Sequence, residues 1–559
     1  MGPTLFGCAD GEEVGPVRRP PQARYYCNVF AIERRPSTGP LRGRGLRTAG
    51  VLTLALVVTA CGGNTGTPGA DSGSAPVRGT GEGSGEELRL AIGGEPDDGF
   101  DPTLGWGRYG SPLFQSTLLQ RTADLAIGYD LATAYDVSDD GLVWTVTIRA
   151  DAVFSDGEPV TAADVAYTFS TASQQGGLTD VTVLESAEAL DEHTVELRLT
   201  QPQSTFVNRL VSLGIVPEHA HDDGYARSPV GSGPFELVSW QQGQQLVVQR
   251  NPDYYGEQPD FERLVFVFSD EDATLAAARA GEVHLAAVPS SMATQEISGM
   301  ALTPVPSIDN RAISFPTVPD EGRTTDEGAP IGNDVTVDRS IRLAVSQAVD
   351  REALVEGILE GFGSPATGPV DGAPWHEPDA AFDDADPDGA ATLLEEDGWV
   401  DADGHGIREK DGVRAEFDLL YPSSDSLRQG LALAVQDMVR PVGIEVTSRG
   451  VSWEEIGTRQ HADAVLFGWG SHDPSEMYNL YHSAGAGVGW WNPGYYSNPS
   501  VDAALDAAMT ATDEDSAIQA WQAAQFDGTG GGFTADQPWV WLVNLDHTYF
   551  VDDCLDLGD

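Results

Sequence analysis

Residues 138–169, SDDGLVWTVTIRADAVFSDGEPVTAADVAYTF, constrain the local fold more tightly than any other stretch of the chain. Asp139-Asp140-Gly141 is a turn, in which glycine supplies the positive φ that ends it. Residues 143–149 then alternate in β-rich composition, which predicts a half-buried strand with Thr145, Thr147 and Arg149 turned away from the packed face. A second turn at Asp156-Gly157 leads to Pro159. Thr161 followed three residues later by Asp164 reads as a helix cap with an acid at the third helical position, a near relative of the capping box. Ala162, Val165, Ala166 and Phe169 give that helix its apolar face.

Elementary physics carries the stretch to a strand, a turn and a capped helix. The order of its parts, DDG, WTVTIR and FSDGEPVTAADVAY, resembles the hallmark segment of the extracytoplasmic solute-binding proteins, family five, which serve ABC importers of peptides, nickel and related solutes. The resemblance implies an α/β fold of the two-lobed periplasmic-binding-protein kind, with an extra subdomain in lobe I and a hinged cleft for the solute. It also implies a monomer that delivers its solute to ABC permease subunits, needs no cofactor, and keeps the segment 138–169 in the subdomain, remote from the ligand.

Composition agrees with that picture and excludes others. A chain of 559 residues is too long for one compact core and suits two large lobes. Its 87 acidic residues against 31 basic ones leave a net charge of −56, a surface that repels phosphate backbones, so nucleic acid is excluded as a partner. Among the basic residues only Lys410 is a lysine, which leaves little room for lysine-dependent catalysis.

Residues 41–60, LRGRGLRTAGVLTLALVVTA, place Arg42, Arg44 and Arg47 ahead of an apolar run that ends in small residues, the pattern of a secretory signal. The apolar run is about ten residues long, short of the roughly twenty that a membrane-spanning helix requires. Val58-Thr59-Ala60-Cys61 resembles a bacterial lipobox, which implies a diacylated Cys61 and a protein anchored outside the cytoplasm to the cell membrane. Residues 1–40 fit no part of a signal peptide and are read as a start assigned too early or a disordered prefix. Residues 62–85 contain almost nothing to bury and form a flexible tether with a reach on the order of 25 to 30 Å.

From Glu86 the chain reads as globular. Strands are expected at residues 88–92, 194–199, 417–421 and 464–467, and helices within 106–120, 339–363 and 426–440. The segments FDP, IVPEH, PVGSGPF, NPDYYG and YYSNPSVDAAL stand in the order in which relatives carry their counterparts. The resulting organisation is lobe I at 86–315 with its inserted subdomain, lobe II at 316–530, and a C-terminal return to lobe I at 531–559. Asp401, Asp403 and His405 are spaced like the start of a calcium loop, but Gly412 stands where the bidentate glutamate belongs, which favours a turn.

The candidate ligand-binding residues are Gly468, Trp469, Gly470, Ser471, His472 and Asp473, a loop that follows a buried strand and exposes glycine backbone beside a large aromatic ring. The resemblance implies that such a loop lends backbone groups to a peptide and that an aspartate just after it holds the peptide's amine. Here His472 stands at that position and Asp473 is displaced by one, although a carboxylate remains the natural partner of an ammonium. The run GWGSHDPSEMYNLYHS also resembles the nickel or metal-chelate branch, and imidazole suits nickel. His472 is therefore read either as a ligand to a bound metal chelate or as a loop hydrogen-bonding residue; His461 and His482 are not spaced as a metal cage. Trp106, Trp490 and Trp491 are candidates for the cleft wall, with core packing the plain alternative. A Gly-x-Ser-x-Gly elbow, a His-Glu-x-x-His pair, a Walker loop and a Cys-x-x-Cys are all absent, so an extracellular hydrolase is the remote alternative and binding without catalysis the expectation.

Overall fold

Two long strands, Met300–Ser314 and Trp539–Asp552, pair antiparallel along almost their whole length and run through both halves of one mixed sheet. The computed structural model describes residues 87–557, apart from 93, 97, 110, 111, 123, 124, 177, 178, 381 and 383, together with Glu33–Arg34. The expected signal at 41–60, the lipidated Cys61, the tether and nearly all of the prefix lie outside those residues.

The second crossing strand, WVWLVNLDHTYFVD, is a run of aromatic and β-branched residues whose alternation separates two cores. Val540 and Leu542 point into a cluster with Ile313, Leu419 and Leu466, while Trp539 and Trp541 point into another with Ala312, Val465 and Phe467. These cores lie on the two faces of the half-sheet formed with Ala464–Phe467, Glu416–Pro422 and Glu445–Val451, three mutually parallel strands.

Farther along, the same two strands join Leu285–Val288, Glu87–Ala91, Arg263–Val267, Gln245–Arg250 and Phe235–Gln241. That half again divides its side chains, Leu88, Leu90 and Val551 on one face, Ala91, Ala286 and Phe550 on the other. The register between the crossing strands shifts between Pro306 and Asn310, where Asp546 and Asn544 are the respective partners. A bulge of this kind can bend a strand, and we term the stretch 306–310, between the two halves of the sheet, the hinge.

The segment 138–169 forms as its pattern dictates. Gly141 and Gly157 have φ of 69° and 90°, the strand is Val143–Ile148 with Trp144, Val146 and Ile148 buried, and the helix is Ala162–Gln175. Thr161 donates from both N and Oγ1 to the Asp164 carboxylate, at 2.9 and 2.8 Å. With Ala132–Val137, Leu184–Ala189 and Thr194–Leu199 the strand builds a separate four-stranded antiparallel sheet, packed by this helix and by Phe206–Ser212.

One expectation is corrected. No helix forms among the described residues of 106–120. Gly105 and Gly107 take φ of 116° and 75°, and Pro112 lacks an amide proton, so the segment is a turn followed by extended chain. The subdomain touches the second half of the molecule, although none of these contacts comes from the segment 138–169 itself. Ser204 donates through N and Oγ to the carbonyls of Met509 and Ala508, each at 2.8 Å, and Arg209 and Arg121 reach the loop itself, as described below. Asp401, by contrast, sits in a turn whose backbone satisfies it, its carboxylate accepting from the amides of Gly404 and Gly406.

Candidate functional site

The three parallel strands of the second half end side by side at Pro422, Val451 and Phe467. In open α/β sheets the crevice at the carboxyl ends of such strands is where ligands bind. Residues 468–473 leave the last of these strands and run along the hinge: Asn310 N donates to the Trp469 carbonyl at 2.8 Å, and Trp469 N donates to Asn310 Oδ1 at 3.1 Å. A Cβ at Gly470 would stand 2.6 Å from the Ile308 carbonyl oxygen, so the loop takes glycine because it lies directly on the crossing strand.

Gly468 is close to something else. A Cβ there would collide with Arg311 Nη1 and, at 2.7 Å, with Arg428 Nη2. Two guanidinium groups therefore converge on this backbone position, Arg311 from the edge of the hinge and Arg428 from the first turn of helix Ser426–Val439. Each bonds one acid: Arg311 Nη1 bonds Asp309 at 2.6 Å, and Arg428 Nη1 bonds Asp425. The Nε of both arginines is buried and has no hydrogen-bond partner among the described residues. Burial, and then the neighbouring Arg311, lower the Arg428 pKa to about 10. Burial alone would raise the Asp309 carboxyl, but Arg311 and His547 outweigh it and hold that group below the usual carboxylate range.

Aromatic rings flank the pair. The Arg428 guanidinium lies 5.8 Å from the centre of the Trp453 ring, and Trp453 meets Trp490 edge-on at 5.7 Å. Trp491 stacks on Trp469 at 4.9 Å. Trp106 does not join them: it packs edge-on to Phe100 at 4.9 Å and donates Nε1 to the Pro112 carbonyl, inside the core of the first half. The three tryptophans singled out in the sequence thus form no common wall.

The loop's ionisable residues have unequal surroundings. Asp473 is committed to the protein, Oδ2 taking Arg209 Nη1 of the subdomain and Oδ1 taking Ser475 N at 2.9 Å. Arg209 Nη2 also donates to Ser475 Oγ at 3.1 Å. The His472 carbonyl accepts from Arg121 Nη2 at 3.0 Å, and burial, then Arg121, lower the His472 imidazole to a pKa of about 4, so it is neutral at physiological pH. Ser471 Oγ accepts from Asp473 N at 3.0 Å. His461 and His482 are turned elsewhere, His461 to the Pro493 carbonyl and His482 to the amide of Ala484.

Glu476, three residues past Asp473, is only 7% exposed, and its Oε1 has no partner among the described residues. Its Oε2 receives a single long contact of 3.4 Å from Gly470 N. Trp469 Nε1 is likewise buried and unpartnered. Four orphaned polar atoms, Arg311 Nε, Arg428 Nε, Trp469 Nε1 and Glu476 Oε1, thus belong to this loop and the elements bordering it. Leaving one such group buried costs about 1–3 kcal/mol, which makes these four atoms candidates for contact with a solute.

Sequence reasoning singled out the loop as a candidate and did not single out Arg311, Arg428, Glu476, Arg209 or Arg121 beside it. The one available signal was scarcity: each arginine stands out in a chain with 87 acids and 31 bases. A further cavity of about 500 Å³ opens beside the hinge, lined in part by Ser307, Thr367, Asp371, His376 and Asp546, and none of the four orphaned atoms belongs to its lining residues. Among the described residues no helix is long and apolar enough to cross a membrane.

Comparison with known proteins supports the architecture. The chain is 35% identical over 522 residues to Protein XP55 of Streptomyces lividans, covering 90% of both chains. Its fold matches NikZ from Campylobacter jejuni, solved with Ni(L-His), at a TM-score of 0.73 and 23% identity, covering 84% of this chain and 94% of that one. It also matches the oligopeptide-binding protein AppA from Bacillus subtilis, solved with a nonapeptide, at 0.70 and 23%, with the same coverage. Both neighbours are two-lobed binding proteins of mixed α/β structure, as this chain is. Residues 126–491 match the model of the bacterial extracellular solute-binding proteins, family 5. The chain belongs to that family, the extracytoplasmic binding proteins of ABC importers.

Proposed function

We propose that the protein captures a short peptide or a similar small carboxylate-bearing solute between its lobes and presents the closed form to an ABC permease. The observation that carries this reading is the convergence of Arg311 and Arg428 on Gly468 with both Nε groups unmatched. A planar carboxylate offers the acceptors that two guanidinium forks need, and in a crevice screened from water such bonds are strong. The aromatic rings of Trp453, Trp469, Trp490 and Trp491 supply apolar area beside them.

Closure follows from a solute that touches both lobes, since it shifts the open and closed populations by its preference for the closed one. In this reading lobe I spans 86–315 and lobe II 316–530, with 531–559 returning; the bulge beside Asn310 and the crossing strand Trp539–Asp552 support it. Residues 468–473 frame the solute while His472 and Asp473 face the subdomain, Cys61 carries the lipid anchor, and the protein works as a monomer without catalysis. A carboxylate-bearing metal chelate is the second reading, favoured by the neutral His472 imidazole, which is competent to ligate.

A thermal-shift panel of di- to pentapeptides and nickel-histidine separates the two readings, with titration calorimetry on the positives. Stabilisation by peptides that vanishes in Arg428→Ala supports the first reading; stabilisation by nickel-histidine alone replaces it with the second. No response to any carboxylate-bearing solute removes both.

A further inference from the structure

We infer that Glu476 is the residue that receives the cationic end of the solute, an ammonium, and that Asp473 does not. The inference rests on the binding function proposed above and narrows the solute to a zwitterion with a free amino group. Three residues separate the two acids, and their hydrogen bonding separates their roles.

Asp473 already has its cation. Arg209 holds one carboxylate oxygen and the amide of Ser475 the other, with the Arg209 and Asp473 side chains only 9% and 13% exposed. An ammonium arriving there would add a positive charge to a neutral, buried pair and displace a guanidinium that gives Ser475 a second bond. Such pairs are costly to break, because the partner left behind is buried and uncompensated.

Glu476 is in the opposite position. Its Oε1 accepts from nothing among the described residues, and its Oε2 has only the 3.4 Å contact from Gly470. The charged groups that act on it are Asp473 on its own loop, Asp309 on the crossing strand, itself tied to Arg311 and His547, and Arg108 on the first lobe's loop; Tyr481 lies on its own helix. Burial comes first, and the two aspartates then outweigh Arg108, raising the carboxyl from 4.5 to about 8. At neutral pH the group therefore holds a proton in the unliganded protein. An ammonium brought to Oε1 supplies the missing donor and favours the ionised carboxylate, so the carboxyl proton leaves to the buffer as the ion pair forms.

Trp469 Nε1 adds the complementary half. It is a buried donor without an acceptor on the same loop as an acceptor without a donor. The first residue of a peptide presents that pair of groups, an ammonium and a carbonyl, and the arginines at Gly468 are set for the carboxylate. A solute with carboxylates alone would leave Glu476 Oε1 unmet.

The test uses the full chain and an equimolar library of di- to pentapeptides, half of them N-acetylated, with retained members identified by native mass spectrometry. Wild type is expected to retain free-amine peptides at least tenfold better than their acetylated counterparts. Glu476→Gln, its folding verified by circular dichroism, should erase that preference, and Asp473→Asn should keep it. Retention of both peptide classes alike, or loss of the preference in Asp473→Asn but not in Glu476→Gln, overturns the inference while leaving the binding function standing. Retention of no peptide overturns the peptide reading and this inference together. A second measurement needs no variant: calorimetry of a retained peptide at pH 7 in phosphate and in Tris should report about one proton released, and no release overturns the assignment.

Discussion

Asp164 and Glu476 make a pair of nearly identical circumstances with opposite consequences. Each is an acid in the first turn of a helix, and each is 7% exposed. Asp164 accepts from Thr161 N, Thr161 Oγ1 and Glu218 N, at 2.9, 2.8 and 3.1 Å. Glu476 has one long contact on one oxygen and none on the other. Evolution of a scaffold closes such accounts locally, because an orphaned buried acceptor costs about 1–3 kcal/mol. On the assignment proposed above, the donor missing at Glu476 Oε1 is the solute's ammonium. The contrast is one of position: the helix cap at Asp164 is satisfied in place, whereas Glu476 Oε1 has no partner among the described residues.

On this contrast, substitutions at satisfied positions should move stability and leave affinity alone, and substitutions at orphaned positions should move affinity, with stability following only the protonation of Glu476. The largest effect is expected at the satisfied pair nearest the site. Arg209→Ala leaves Asp473 buried without its cation and should cost about 3–5 kcal/mol in urea unfolding. The double variant Arg209→Ala/Asp473→Ala should lose clearly less than the sum of the two single changes; additivity would show that the pair is not coupled.

Arg428→Ala comes next. Loss of a charge-assisted bond to a buried carboxylate corresponds to about 2–4 kcal/mol, or roughly 30- to 1000-fold in Kd by calorimetry. Arg428→Lys should recover only part of it, since an ammonium lacks the planar fork. An unchanged Kd in Arg428→Ala would place the solute elsewhere.

Asp164→Ala should lower stability by about 1–2 kcal/mol through loss of the cap, with affinity for the same peptide unaltered. A change in Kd here would mean that the subdomain helix feels the solute, and the contrast would fail from its other side.

The last effect is a pH dependence. The Glu476 carboxyl is raised from 4.5 in the unfolded chain to about 8 in the folded one, so the folded state holds this proton more tightly. The stability it contributes is complete below about pH 4.5 and is lost as pH rises toward 8. Relative to Glu476→Gln, which cannot ionise, wild type should therefore weaken progressively across that window and level off above it, as read by melting temperature. A constant difference between the two proteins would mean that Glu476 is ionised throughout.

Much of this molecule is legible residue by residue. The turn at Gly141, the alternation of Trp144, Val146 and Ile148, and the cap joining Thr161 to Asp164 each span fewer than eight positions, so local pattern suffices to predict them. The expected helix at residues 106–120 failed for an equally local reason: glycines at 105 and 107 and a proline at 112 interrupt it. The subdomain's contact with the loop was not legible, because Arg209 and Asp473 are separated by 264 positions and nothing in either neighbourhood names the other.

By itself, the sequence determined the family and the two-lobed α/β scaffold, and it offered the loop at Gly468 as a candidate, since these rest on turns, alternation and motif order, all short-range properties of a chain. Which carboxylate on that loop is already neutralised, and which pair of arginines meets beside it, only the tertiary structure decided. Arg311 and Arg428 come from a hinge strand and from the helix of another strand-helix unit, and Arg209 from a third part of the fold. Charges act through space over a few ångströms, and folding alone sets which distant residues come that close.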